Sequence, residues 1–258
     1  MADRDPAPFF TRPFLDLLRG QAQAIGRPLD LVWMLAGLAA GWWLYVPVHE
    51  LLHAAGCLLA GGEVTRLEID PLYGGAVLAR LVPFVAAGGD YAGRLTGFDT
   101  GGSDWVYLAT DLAPFVLTLF PGVWLLRLAG RRRAAFLLAV AAPFAFAPFL
   151  SLTGDAYEIG SLVVTEMAPW RGAAHRGLVA DDVVRLAAAM ARGEAAVTAG
   201  PLAWAGLALA ALFGALWAFG VYALGSLAAA GLGQRPLRER LEPRRGTPAA
   251  SAAGGGAR

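Results

Sequence analysis

Two histidines four residues apart, with a glutamate directly after the first, are the residues of this sequence best equipped for chemistry: His49-Glu50-Leu51-Leu52-His53. Positions i and i+4 of a helix share a face, so both imidazoles can reach one metal ion. Glu50 then stands beside the water on that metal. Zinc lowers the pKa of such a water towards about 7, and a neighbouring carboxylate can take its proton as the oxygen attacks a carbonyl. This is the equipment that peptide hydrolysis requires. Cys57 is the only cysteine, which excludes an intrachain disulfide and a Cys-rich metal site, so the donors must be His and carboxylate. Cys57 itself, one turn after His53, reads as a small packing residue.

A catalytic zinc takes three protein ligands and keeps one position open, so a third ligand must come from elsewhere in the chain. Asp111, Asp155 and Glu158 lie inside or beside apolar runs, while His175, the remaining histidine, sits among Arg171 and Arg176 and reads as a solvated loop residue. Depth ranks the acids. Runs 31–60 and 134–152 are two crossings apart and must point the same way. His49 and His53 lie 18 and 22 residues after position 31, and Asp155 lies 21 after position 134. At about 1.5 Å per residue these depths agree to within about 5 Å. Asp111, early in an oppositely directed run, falls on the same side. Asp155 is therefore expected as the third ligand. Glu158 is expected as an alternative ligand or the partner of a histidine, and Asp111 as a group that orients a ligand or bonds backbone freed by Pro114. The plainer alternative is that Asp155 and Glu158 mark where the third helix leaves the membrane.

The elements that must position these groups are apolar. Of 258 residues 57% are hydrophobic and only 16% charged, against roughly 25% charged in soluble domains, and the excess is concentrated in four runs. Residues 31–60, 105–126, 134–152 and 201–231 are each near the roughly 20 apolar residues that a helix needs to cross a bilayer. The expected fold is an all-α membrane protein of about four transmembrane helices, with a small membrane-associated β-hairpin after the first. That hairpin is read from the alternating stretches 64–69 and 76–81 around Asp70-Pro71-Leu72-Tyr73-Gly74-Gly75. Three parts follow. Residues 1–30 form an interfacial segment in which Phe9, Phe10, Phe14, Leu17 and Leu18 recur at near-helical spacing. Residues 31–231 form the membrane domain, with a short helix starting near Asp181 in its last long loop. Residues 232–258, rich in Arg, Pro, Ala and Gly, form a disordered tail. No removable signal peptide is expected. All 21 basic residues are Arg, as genome base composition would give, and a net charge of +1 points to no nucleic-acid partner.

The run His49-Glu50-Leu51-Leu52-His53-Ala54-Ala55-Gly56, followed by Gly61-Gly62-Glu63-Val64, a short strand and Gly74-Gly75-Ala76-Val77, resembles the site-2 protease family of intramembrane zinc metalloproteases. The resemblance covers roughly residues 31–160 and suggests a minimal or divergent member. It implies His49 and His53 as zinc ligands, Glu50 as the catalytic glutamate and Asp155 in the place of the family's aspartate ligand. It also implies that the strand at Gly74 and Gly75 is the edge that holds an unwound substrate helix. The family's Asn-Pro and Leu-Asp-Gly context is absent, since Pro148-Phe149-Leu150-Ser151-Leu152-Thr153-Gly154-Asp155 has no Asn and reverses the Asp-Gly order. Leu112-Ala113-Pro114 only faintly echoes the family's Gly-Pro, and no PDZ or nucleotide-sensing domain is present.

The expected function is zinc-dependent hydrolysis of transmembrane protein substrates in a multi-pass protein of a bacterial cell membrane. The alternatives are a catalytically silent zinc-containing binding or scaffold protein, against which Glu50 argues, and a small transporter, against which the absence of a repeated half argues. Most arginines lie in the tails and at Arg131 to Arg133. The positive-inside preference thus places the HExxH end of its helix outside, whereas the resemblance implies a site near the cytosol. Gly206, Gly214, Gly220 and Gly225 in the last run suit close helix packing, within the bundle or between copies.

Overall fold

The computed structural model describes residues 8–167, 177–197 and 200–237. Three of its helical stretches are long and apolar enough to cross a membrane. Helix α1 (Arg12–Ala24) lies before α2 (Pro28–Leu59), the first of them. A three-stranded sheet follows, formed by β1 (Glu63–Ile69), β2 (Val85–Ala87) and β3 (Gly93–Asp99), with helix α3 (Gly75–Leu81) between the first two strands. The second stretch, Asp104–Arg132, consists of α4 (Asp104–Leu112), two irregular turns carrying Pro114 and Pro121, and α5 (Val123–Arg132). Then come α6 (Ala135–Ala145), α7 (Ala147–Leu150), α8 (Asp155–Met167), α9 (Val183–Arg192) and the third long stretch, α10 (Pro201–Gly231). Large apolar side chains stay exposed on α2 and α10, among them Leu35 at 70% and Leu227 at 68%, as surfaces facing lipid do.

The expected third span is not one helix. Its apolar run breaks into α6, only 11 residues long, and α7, and a turn at 151–154 precedes α8. Proline is the cause. Pro148 has no N–H to give the carbonyl of Phe144, four residues back, and that carbonyl accepts from Thr118 Oγ1 at 2.9 Å instead. Hydropathy counts apolar residues and cannot see such a break. α6 packs along α2, and α8 packs along α10. The second pairing is close: a Cβ on Gly160 would stand 2.0 Å from the Ala210 carbonyl oxygen, and one on Gly214 would stand 2.2 Å from that of Ala156. No residue larger than glycine fits at either place.

The sheet also departs from the expected hairpin. Strand β1 lies in the middle, parallel to β2 and antiparallel to β3, with Leu67 opposite both Val85 and Leu95. Residues 76–81, read as the second strand, belong to α3. Asp70 accepts from the Leu72 N–H at 2.7 Å, and Pro71 presets the turn that Gly74 closes in a left-handed conformation. Gly75 then starts α3, so neither Gly74 nor Gly75 lies on a strand. A six-residue alternation of Ala, Leu, Val and Arg satisfies a helix as well as a strand, and here the turn decides. Trp43 of α2 donates to the Leu72 carbonyl at 2.6 Å and ties this turn to the first span.

Two peripheral expectations meet structure. α1 forms as expected, exposing Phe14 and Leu18 and burying Asp16, and Phe9 and Phe10 just before it are exposed as well. α9 begins at Val183, capped by Asp182, which accepts from the Val184 and Arg185 N–H groups. Residues 232–237, expected within the tail, are placed against the bundle: Leu237 is buried and its carbonyl accepts from Arg19 of α1 at 2.9 Å. His175 and residues 238–258 lie outside the described residues.

Candidate metal centre

His49 and His53 stand one turn apart on α2, both buried, and Asp155 reaches them from the first residue of α8. His49 Nε2 lies 3.0 Å from Asp155 Oδ2 and 3.2 Å from His53 Nε2, and His53 Nε2 lies 3.6 Å from Asp155 Oδ2. All three ligand atoms fall within 4.8 Å of one another, a group able to hold a metal ion.

The far side of each ring is fixed. His49 Nδ1 lies 2.9 Å from the hydroxyl of Tyr45, one turn earlier on the same helix. His53 Nδ1 lies 2.9 Å from the backbone carbonyl of Thr110 on α4. A carbonyl only accepts, so the proton of the neutral His53 ring sits on Nδ1 and the Nε2 lone pair points at Asp155 and His49. Thr110 precedes Pro114 by four residues, and proline has no N–H to offer that carbonyl. The expected role of Asp111, bonding backbone freed by Pro114, thus falls to His53. Gly56 allows the close approach of α2 and α4 on which this bond depends, since a Cβ there would stand 2.6 Å from the Ala109 carbonyl oxygen.

Beside the triad lies a cavity of about 580 Å³ lined by Glu50, His53, Tyr107, Asp111, Asp155 and Glu158 together with residues of β3 and of the segment before α9. Glu50 faces it next to His53. Strand β3 crosses close over Glu50, where a Cβ on Gly93 would stand 2.4 Å from Glu50 Cγ. At the mouth Arg94 of β3 pairs with Asp181. Glu158, one turn beyond Asp155, accepts from the Tyr107 hydroxyl. Its expected histidine contact is replaced by a tyrosine. Asp111 is buried, and among the described residues nothing hydrogen-bonds its Oδ2.

No family model, curated protein or solved structure matches this chain. Its chemistry follows from its own geometry.

The structure thus brings His49, His53, Asp155 and Glu50 to one place and sets Glu158 and Asp111 on the wall of the same cavity. Gly74 and Gly75 are not the strand beside it; β3 is. Sequence reasoning missed Tyr45, Thr110, Tyr107 and Arg94. Tyr45 had a signal, since it stands four residues before His49 and shares its face. Thr110 had one as well, as the carbonyl that Pro114 releases. Tyr107 and Arg94 had none, because their roles depend on which strand and helix face the site.

Proposed function

We propose that this chain is an intramembrane zinc metalloprotease. The observation that carries the reading is the convergence of Asp155, on a helix more than a hundred residues away, with both histidines of the HExxH turn, while Glu50 faces the adjoining cavity. The donor set fits zinc. Atoms held about 2.0–2.1 Å from one tetrahedral ion stand about 3.3 Å from each other. The three separations of 3.0, 3.2 and 3.6 Å bracket that spacing. Two imidazoles and one carboxylate with a cavity beside them also match the pattern of a catalytic site, which keeps one position open.

When bound, zinc would supply a water of lowered pKa and a stabilising positive charge. Glu50 would take a proton from the attacking water and return it to the leaving amine, so that one water adds across the C–N bond. Tyr45 and the Thr110 carbonyl hold the two rings in the orientation this requires. A peptide bond in a transmembrane helix is shielded by its own side chains and hydrogen bonds, so the substrate must unwind locally. β3 is an outer strand of the sheet and lines the cavity through Arg94, Leu95, Thr96 and Phe98, which suits it to pair with an extended substrate segment. This replaces the edge at Gly74 and Gly75. The expected four-span arrangement follows if α6 to α8 cross the bilayer together as a broken span.

The test is metal content and cleavage measured side by side on detergent-purified protein. Wild type should hold about one zinc per chain. Asp155→Ala should lose it, and Glu50→Gln should keep it while cleavage of a transmembrane peptide stops. A well-folded wild type without zinc sinks the reading. Bound zinc with no cleavage of any peptide, and with Glu50→Gln indistinguishable from wild type, would leave the silent zinc-containing scaffold.

A further inference from the structure

We infer that Asp111 and Glu158 form a specificity pocket for a cationic group of the substrate. The inference rests on the proteolytic reading for its location and on the polar groups of the cavity wall for its chemistry. Five carboxyl groups, those of Glu50, Asp111, Asp155, Glu158 and Asp181, line one cavity, the last of them paired with Arg94. The first and third have assigned work, beside the metal and on it. Asp111 and Glu158 do not, yet they are only 3% and 6% exposed. Buried carboxylates at membrane depth are costly unless a charge or a set of donors meets them, and where they occur they mark ligand or ion paths.

The donors of Tyr107, His53 and Arg94 are already committed. The Tyr107 hydroxyl donates to Glu158 Oε1 and leaves the other oxygen of that carboxyl without it. His53 gives its Nδ1–H to the Thr110 carbonyl, not to the neighbouring Asp111. Arg94, the one arginine among the described lining residues, is paired with Asp181 at the mouth. Arg127, the buried arginine of the same span, is held by Asp16 and Ser226 and does not line this cavity. Asp111, on the cavity wall, is the outcome: its Oδ2 is a buried acceptor that no described group satisfies.

An ammonium or guanidinium group carries several N–H donors and a positive charge, and it complements this wall where a neutral side chain does not. The cavity volume, about 580 Å³, is ample for an extended basic side chain entering beside β3. A second metal ion fits less well. Only His49, His53 and Asp155 form a group of three or more closely spaced ligands among the described residues, and Asp111 and Glu158 supply two carboxyls between them. The cation comes with the substrate, from a lysine or arginine side chain near the scissile bond or from a free amino terminus.

The experiment uses full-length, zinc-loaded Glu50→Gln protein in detergent, which binds without cleaving, and fluorescent extended peptides read by anisotropy. One series carries a single lysine, a second carries norleucine in its place, and each is made with an acetylated and with a free amino terminus. A charge-assisted hydrogen bond to a buried carboxylate corresponds to about ten- to a hundredfold in affinity, and the cationic peptides should bind more tightly by that factor. A gain that follows lysine in acetylated peptides identifies the side chain as the source, and one that follows the free amine identifies the terminus. In either case Asp111→Asn and Glu158→Gln, each added to the Glu50→Gln background, should abolish the preference while zinc content and helical circular dichroism stay unchanged. Equal binding of lysine and norleucine peptides whatever their termini overturns the inference without using any variant. So does a second equivalent of bound metal that disappears with Asp111→Asn. Cleavage by wild type is scored separately: cation preference without cleavage keeps the pocket and removes the protease.

Discussion

The Asp104–Arg132 stretch carries a buried acid near its start and a buried arginine near its end, and the two are treated in opposite ways. Arg127 has all of its five N–H donors engaged. Nε and Nη2 reach Asp16 Oδ2 at 3.0 and 2.8 Å, Nη1 reaches the carbonyls of Ser226 and Gln234 at 3.0 and 3.1 Å, and Nη2 also meets the Ser226 hydroxyl. Tyr222 completes the cluster by donating to Asp16 at 3.1 Å. This network binds α1, α5 and α10 together, and it explains why α1 turns its acid inward and its phenylalanines outward. Asp111, by contrast, has an oxygen without a partner among the described residues, beside a cavity and a triad able to hold a metal ion. A closed network holds a fold together, whereas an open one leaves room for something that arrives later.

The strongest way to sharpen this contrast is to separate chemistry from stability. Glu50→Gln should reduce peptide cleavage about a hundred- to ten-thousandfold with zinc content unchanged, measured by peptide assay and metal analysis. Next in size, Arg127→Met leaves Asp16 buried without its cationic partner and should cost about 3–5 kcal/mol in an unfolding titration in mixed micelles. Adding Asp16→Leu should recover most of that loss, because neither member then remains an unpaired charge. Zinc binding in whatever fraction stays folded should be untouched; if Arg127→Met removes zinc selectively, the two clusters are not independent.

Gly214→Ala tests the link between packing and site. A methyl group 2.2 Å from the Ala156 carbonyl oxygen must push α8 away from α10, costing about 1–3 kcal/mol, and it should weaken zinc binding because Asp155 is the first residue of α8. Asp111→Asn should move the unfolding free energy by less than about 1 kcal/mol in either direction, since no existing hydrogen bond to Oδ2 is lost. A large destabilisation there would make Asp111 a structural residue like Arg127 and erase the contrast. Smallest of all, Arg94→Gln breaks the pair with Asp181 between two partly exposed side chains and should change stability by well under about 1 kcal/mol.

The candidate site on α2 was legible because it is local. The spacing of His49, Glu50 and His53 places them on one face of any helix that contains them, and the cost of burying them in an apolar run marks them out. Asp155 could be ranked by depth even though its span is broken, because the break into α6, α7 and a turn delivers the start of α8 to the level of His49. The hairpin failed where the pattern was short: residues 76–81 alternate over too few positions to distinguish period two from period 3.6, and the Asp70-Pro71 turn settles the outcome. The third span failed because a hydropathy sum is blind to a missing N–H at Pro148.

By itself, then, the sequence determined that apolar helices dominate, that one of them carries HExxH and that several acids lie at membrane depth. These follow from composition and from periodicities of a few residues. Tertiary structure alone decided that β3, not Gly74 and Gly75, passes over Glu50. It likewise decided that a carbonyl released by Pro114 fixes His53, that Arg127 finds Asp16, and that Asp111 Oδ2 finds no partner among the described residues. Each of those outcomes depends on which faces of distant segments meet, and a hydrogen bond between residues a hundred positions apart leaves no period in the chain.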